Sequence, residues 1–135
     1  MVTLGVTDLA RSTAFYESLG WRRSSASQDT ITFFSMQGSA LGLFGREALA
    51  DDAGVDSDGS GFRAVTIALN CDSRDEVDAV FAEWVAAGAG PVKEPEAVFW
   101  GGYSSYVADP DGHLWEIAHN PYAPNDESGQ MSLPD

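Results

Sequence analysis

Two halves of this chain repeat one another. When Asp8 is set over Ser73, Leu4 falls over Leu69 and Tyr16 over Phe81. Both anchors are good helix N-caps, because their side-chain oxygens accept from N–H groups that a helix start leaves unpaired. An alternating apolar run of strand character precedes each, at residues 2–6 and 64–69. After Asp8, the residues Leu9, Thr13, Tyr16 and Leu19 share one helical face, and Gly20 suits the position just past the helix end. In the second half Ser73-Arg-Asp-Glu76 is a capping box. Val77, Val80, Phe81, Trp84 and Val85 then form an apolar stripe that ends at Gly88.

These signals predict helices over 9–19 and 74–87. Strands are expected at 21–25, 31–36 and 41–44 in the first half, the last two joined near Gln37-Gly38. In the second half they are expected at 92–99, 103–108 and 113–118. Residues 45–61 are polar, acidic and Gly-rich, and read as a loop between the halves. The order strand, helix, three strands therefore occurs twice, and the fold class is α+β, two βαβββ modules with their helices on the outer faces. One domain is expected over 1–121. Residues 122–135 are rich in Pro, Asn, Asp and Ser and read as an acidic, weakly held tail.

The last two strands flank Asp109-Pro110-Asp111-Gly112, which has turn chemistry at each position. Alternation puts Trp115 and Ile117 on one face, and Leu114, Glu116 and Ala118 on the other. Glu116 is thus a carboxylate in mid-strand among apolar neighbours. Burying it without a partner is costly, so it either faces a wet cleft or meets something positive.

Composition narrows the partners. Seven Lys+Arg against 21 Asp+Glu give a net charge of −14, which argues against nucleic acid and against anionic membrane. No apolar run is long enough to span a bilayer, and no secretory signal pattern is present. Cys71 is the single cysteine, so there is no internal disulfide framework; a cytoplasmic location is the expectation.

The doubled βαβββ order, the opening strand-Asp-Leu-helix-Phe-Tyr-x-x-Leu-Gly and the closing Asp-Pro-Asp-Gly-x-x-x-Glu together resemble the vicinal oxygen chelate superfamily. That group includes glyoxalase I, extradiol dioxygenases, fosfomycin-resistance enzymes and bleomycin-resistance proteins. The likeness extends over roughly residues 1–121. It implies modules whose mixed sheets curl around a cleft, commonly paired across a homodimer. It also implies a divalent metal in the cleft, held by His or Gln on the first strand, His on the first strand of the second module and Glu on the last. Carried over residue by residue, the last-strand ligand is Glu116. The other two positions are Thr66 and Met1, neither of them His. His113 and His119 have the parity of Trp115 and point away from Glu116. The expectation is therefore no metal site and no cofactor, the divalent-metal ligand set being incomplete. Met1 stands in a ligand position at the very start of the chain, so a natural start further upstream would alter that strand.

Parity places Thr3, Gly5, Thr66, Ala68 and Leu114 on the face of Glu116. Ser104 and Tyr106 match positions that meet substrate in fosfomycin-resistance relatives, as does Thr3. Trp100 and Tyr103, with Phe99, either clamp a planar ligand or form a hydrophobic plug or dimer contact. Phe33, Phe34 and Phe44 are split between core and cleft, and Trp21 and Trp84 are expected in the core. Arg23 and Arg63 could receive an anionic ligand but are read as forming ordinary surface salt bridges, and Cys71 is read as a structural thiol. Two functions stay open. One is a metal-independent protein that sequesters a small aromatic or cationic metabolite or drug. The other is an enzyme, a lyase or isomerase of the glyoxalase type acting on a carbonyl compound, either metal-dependent or using Glu116 as base.

Overall fold

A computed structural model describes residues 1–131. It divides into two compact units, Met1–Ala64 and residues from Val65 onward. The first unit contains β1 (Val2–Val6), α1 (Leu9–Ser18), β2 (Ile31–Met36), β3 (Ser39–Gly45) and α2 (Arg46–Ala53). The second contains β4 (Ile67–Asn70), α3 (Arg74–Ala86), β5 (Gly90–Ala97), β6 (Tyr103–Ala108) and β7 (Leu114–His119).

In the first unit the strand order is β1-β3-β2, with β1 parallel and β2 antiparallel to β3. The Asp8 carboxylate accepts from the Arg11 amide at 3.0 Å, as an N-cap should. The helix closes in a Schellman motif: Gly20 takes φ +82°, and the Trp21 amide reaches back to the Tyr16 carbonyl. Thr13, Tyr16 and Leu19 are buried as the stripe requires, and so are Ser12 and Phe15. Tyr16 stacks on Trp21 and lies 5.9 Å, centroid to centroid, from Phe34 of β2. Burying a side chain such as Phe34 contributes about 1.5–3 kcal/mol. Thr13 and Thr32 share a buried hydroxyl hydrogen bond of 2.9 Å between helix and sheet.

Three expectations for the chain path are corrected. Residues 21–25 form no strand; Arg23 makes a single bridge to Phe34. The Ser27 hydroxyl accepts from the Phe33 amide at 2.9 Å, so a side chain takes the donor that a fourth strand would have paired. Residues 45–61 are not all loop, because α2 occupies the Arg-Glu-Ala-Leu-Ala-Asp-Asp-Ala stretch. Those residues include strong helix formers, but only Ala50 is buried, so no apolar stripe advertises the helix. Finally, β4 starts at Ile67 rather than at 64. Ala64 sits at φ +57°, which breaks an extended backbone before the strand can begin.

In the second unit the order is β4-β7-β6-β5, with β4 and β7 parallel and the other pairs antiparallel. Ser73 Oγ accepts from the Glu76 amide at 3.1 Å, and Glu76 in turn accepts from the Asp72 amide at 2.6 Å. The capping box thus closes one residue further back than its usual form. Val77, Phe81 and Trp84 are buried against the sheet, and Trp84 meets Trp115 at 5.2 Å. Trp115, Ile117, Val107 and Ser105 are at most 1% exposed, which defines the face under α3.

The turn after β6 is pinned by Asp109. Its carboxylate accepts from the amides of Asp111 and His113, both at 2.9 Å, and Gly112 takes φ +79°. Beyond β7, Asn125 donates to the Asn70 carbonyl and to Asp72, each at 2.9 Å, and bridges to Met131. The expectation of a weakly held tail also falls on residues 132–135, which lie outside the described residues.

Candidate ligand-binding face

The site begins with alternation on β7. Trp115 and Ile117 bury under α3, so Leu114, Glu116 and Ala118 must face the opposite side of the sheet. Register carries that face across the strands. Ala68 of β4, Glu116 of β7, Tyr106 of β6 and Lys93 of β5 stand directly opposite one another in turn. A second row runs Asn70, Ala118, Ser104 and Glu96. Glu116, Tyr106, Leu114 and Lys93 are half-buried, and Ser104 is buried.

The electrostatics centre on Tyr106. It stands directly opposite Glu116 in the ladder. Burial pushes the phenol above its ordinary value, and the Glu116 carboxylate pushes it the same way, while Lys93 opposes them. Tyr106 therefore keeps its proton at neutral pH. Lys93 also pairs with Glu96 at 2.9 Å.

The structure brings together Glu116, Tyr106, Ser104 and Leu114. Among the other candidates of the second unit, Tyr103 lies off that face. Thr66 precedes β4 and is exposed. Tyr103 has the opposite parity: its hydroxyl donates to Asp78 of α3 at 3.0 Å, and the Arg74 guanidinium lies 5.5 Å from its ring centroid. Trp100 lies in the turn between β5 and β6, folded back onto Gly102. Phe99 beside it is fully exposed. Thr3 belongs to the first unit, in a row with Gly42 and Phe33. His119 has the expected opposite parity and contacts the Cys71 carbonyl at 3.0 Å. Lys93 was not singled out from the sequence. Pro91, Pro95 and two register shifts scramble the parity of β5, leaving only its charge as a signal.

A divalent metal on this face would need about three N or O donors. Glu116 has Ala68 and Tyr106 as its direct neighbours in the ladder, and a lysine follows. Among the described residues no three His, Cys, Asp or Glu side chains gather closely enough to hold an ion. In that row Glu116 is the only carboxylate, and no imidazole stands beside it.

A separate cavity of about 570 Å³ lies in the first unit, around Thr7, Arg46, Glu47, Ser57 and Asp58. It shares no residue with the Glu116 face. Arg46 is already committed there, donating to the carbonyls of Ser57 and Gly59 at 2.8 and 2.7 Å. Among the described residues no helix is long and apolar enough to cross a membrane.

The sequence pattern of the Glyoxalase/Bleomycin resistance protein/Dioxygenase superfamily matches residues 1–117. A glyoxalase-related enzyme from Fulvimarina pelagi is similar over 99% of this chain and 96% of its own, at 36% identity and a TM-score of 0.88. A glyoxalase/bleomycin resistance protein/dioxygenase from Nocardioides is similar at 26% identity and a TM-score of 0.73, over 87% of this chain and 79% of its own. A lactoylglutathione lyase from Agrobacterium tumefaciens, at 24% identity and a TM-score of 0.68 over 89% and 92%, shares the fold. No curated protein is significantly similar to the chain.

Proposed function

Because the chain belongs to the Glyoxalase/Bleomycin resistance protein/Dioxygenase superfamily, we propose that it binds a small organic molecule against Glu116 and Tyr106 without a bound metal. The observation that carries this reading is that Tyr106 stands directly opposite Glu116 on the half-buried sheet face away from α3. A half-buried carboxylate beside a phenol keeps acceptor capacity for a ligand N–H or cation. The Tyr106 ring beside it offers a surface for stacking. The net charge of −14 favours a ligand with a cationic group. Sequestration of such a metabolite or drug in the cytoplasm, by a homodimer, completes the proposal. Sedimentation at micromolar concentration tests the dimer, and a purely monomeric boundary would refute it.

A thermal-shift screen of cationic and aromatic compounds tests the ligand claim, since a bound ligand raises stability by mass action. Hits should stabilise the wild type more than Glu116→Gln. Elemental analysis finding one tightly held Zn, Ni, Fe or Mn per chain would overturn the metal-free reading.

One observation favours a second reading: the relative at 36% identity is described as a glyoxalase-related enzyme. Glu116 would then act as general base, taking a proton from a carbon next to a carbonyl. Deuterium exchange into a bound carbonyl compound, abolished in Glu116→Gln, would favour catalysis over simple binding.

A further inference from the structure

We propose that the Glu116 face selects a zwitterionic small molecule, its cationic group held by Glu116 and its anionic group by Lys93; this rests on the ligand-binding reading above. Lys93 is the only lysine in a chain with 21 acidic residues. It stands in one ladder row with Tyr106 and Glu116, on three consecutive strands of one sheet face. Strands lie about 4.8 Å apart, so the two charged residues leave the backbone about 10 Å apart, with Tyr106 on the strand between them. That spacing suits a molecule with separated charges rather than a single ion.

Both charges are felt at the centre of the row. Glu116 and Lys93 act on the Tyr106 phenol in opposite directions, as a carboxylate and an ammonium both close to it do. Lys93 is engaged with Glu96 at 2.9 Å, through side chains that are 38% and 61% exposed. An ion pair that open to water is weak and screened, so a ligand anion can displace Glu96. The charge of the whole chain adds selectivity. A plain anion is repelled by the field of a −14 protein, whereas a zwitterion brings its own cation to Glu116. A plain cation satisfies Glu116 and leaves Lys93 without a ligand partner.

Three probes of one chain length test this by calorimetric titration into the full-length protein: ε-aminocaproate, hexylamine and caproate. The expected result is that ε-aminocaproate binds at least about tenfold more tightly than either single-charge probe, the scale of one charge-assisted hydrogen bond. Lys93→Met should reduce ε-aminocaproate to the level of hexylamine and leave hexylamine unchanged. Glu116→Gln should weaken ε-aminocaproate and hexylamine alike. If hexylamine equals ε-aminocaproate in the wild type while Glu116→Gln weakens both, the zwitterion inference is overturned and the ligand-binding reading survives. If Glu116→Gln changes no titration, or no probe binds, the inference is overturned, and the ligand-binding reading is then judged by its own compound screen. Melting curves of both variants confirm folding before titration.

Discussion

Gly42 and Glu116 hold the same rung of the internal repeat. Thr3 pairs with Gly42 on β3, and Ala68 pairs with Glu116 on β7. Thr3 is separated from Ala68 by the spacing that separates the helix caps Asp8 and Ser73. One strand further on, Phe33 stands where Tyr106 stands. A Cβ on Gly42 would lie 3.2 Å from Thr3 Oγ1 and 3.4 Å from the Phe33 ring, so this rung is already filled. The repeat therefore carries a carboxylate and a phenol in one unit, and no side chain and a plain phenyl ring in the other.

The Thr13–Thr32 pair should behave as a coupled unit. Both residues are buried, at 6% and 1% exposure, and their hydroxyls are 2.9 Å apart. Thr32→Val removes one partner and leaves the other hydroxyl short of it in the core, at a cost of about 1–3 kcal/mol. The double change Thr13→Val with Thr32→Val should cost less than the sum of the single changes. Urea denaturation of the four proteins checks this, and strict additivity would contradict it.

At Gly102 an added Cβ would fall 1.9 Å from the Trp100 indole. Gly102→Ala must expel the ring, which is 39% exposed and has water to move into. The Trp100 emission, isolated by subtracting the Trp100→Phe spectrum, should shift to the red, with about 1 kcal/mol of stability lost. An unshifted difference spectrum would mean that the indole does not rest on Gly102.

Cys71 supplies a pH signature. Burial, then the Glu76 and Asp72 carboxylates, push its thiol up to about 11 from the ordinary 9.0. The folded state holds this proton more tightly than the unfolded state. The resulting stability is complete below pH 9 and is lost as pH climbs from about 9 to about 11. Wild type should therefore lose more stability than Cys71→Ala over that window. Tyr103 and Tyr106, also raised, contribute equally to both proteins. A thiol reagent should label the native protein slowly at neutral pH and rapidly once it is unfolded. Parallel stability curves for the two proteins would contradict the assignment.

What could be read from the residues alone follows from how locally each feature is encoded. The caps at Asp8 and Ser73, the Gly20 helix stop and the Asp109 turn each depend on a few adjacent residues, and all appear in place. Alternation on β7 sufficed to put Glu116 opposite Trp115, whereas Tyr106 was reached only through the family resemblance; register puts it beside Glu116. Signals that depend on context were lost. Nothing in residues 46–53 buries beyond Ala50, so α2 lacked a stripe to read. The strand expected at 21–25 gave way to a serine side chain that mimics its hydrogen bond. Lys93 was hidden because two prolines shift the register of β5. Tyr103 was grouped with Trp100 by proximity in sequence, whereas its parity sends it to α3 and Asp78.

The most direct test is a calorimetric titration of the best thermal-shift ligand into wild type and Glu116→Gln, each with and without a strong chelator. The account predicts the same affinity for wild type in both conditions. It predicts a loss of about 1.5–3 kcal/mol in Glu116→Gln, the range for a hydrogen bond to a charged group, with the fold retained. Binding that disappears with chelator and returns with a divalent metal, or an affinity untouched by Glu116→Gln, would contradict it.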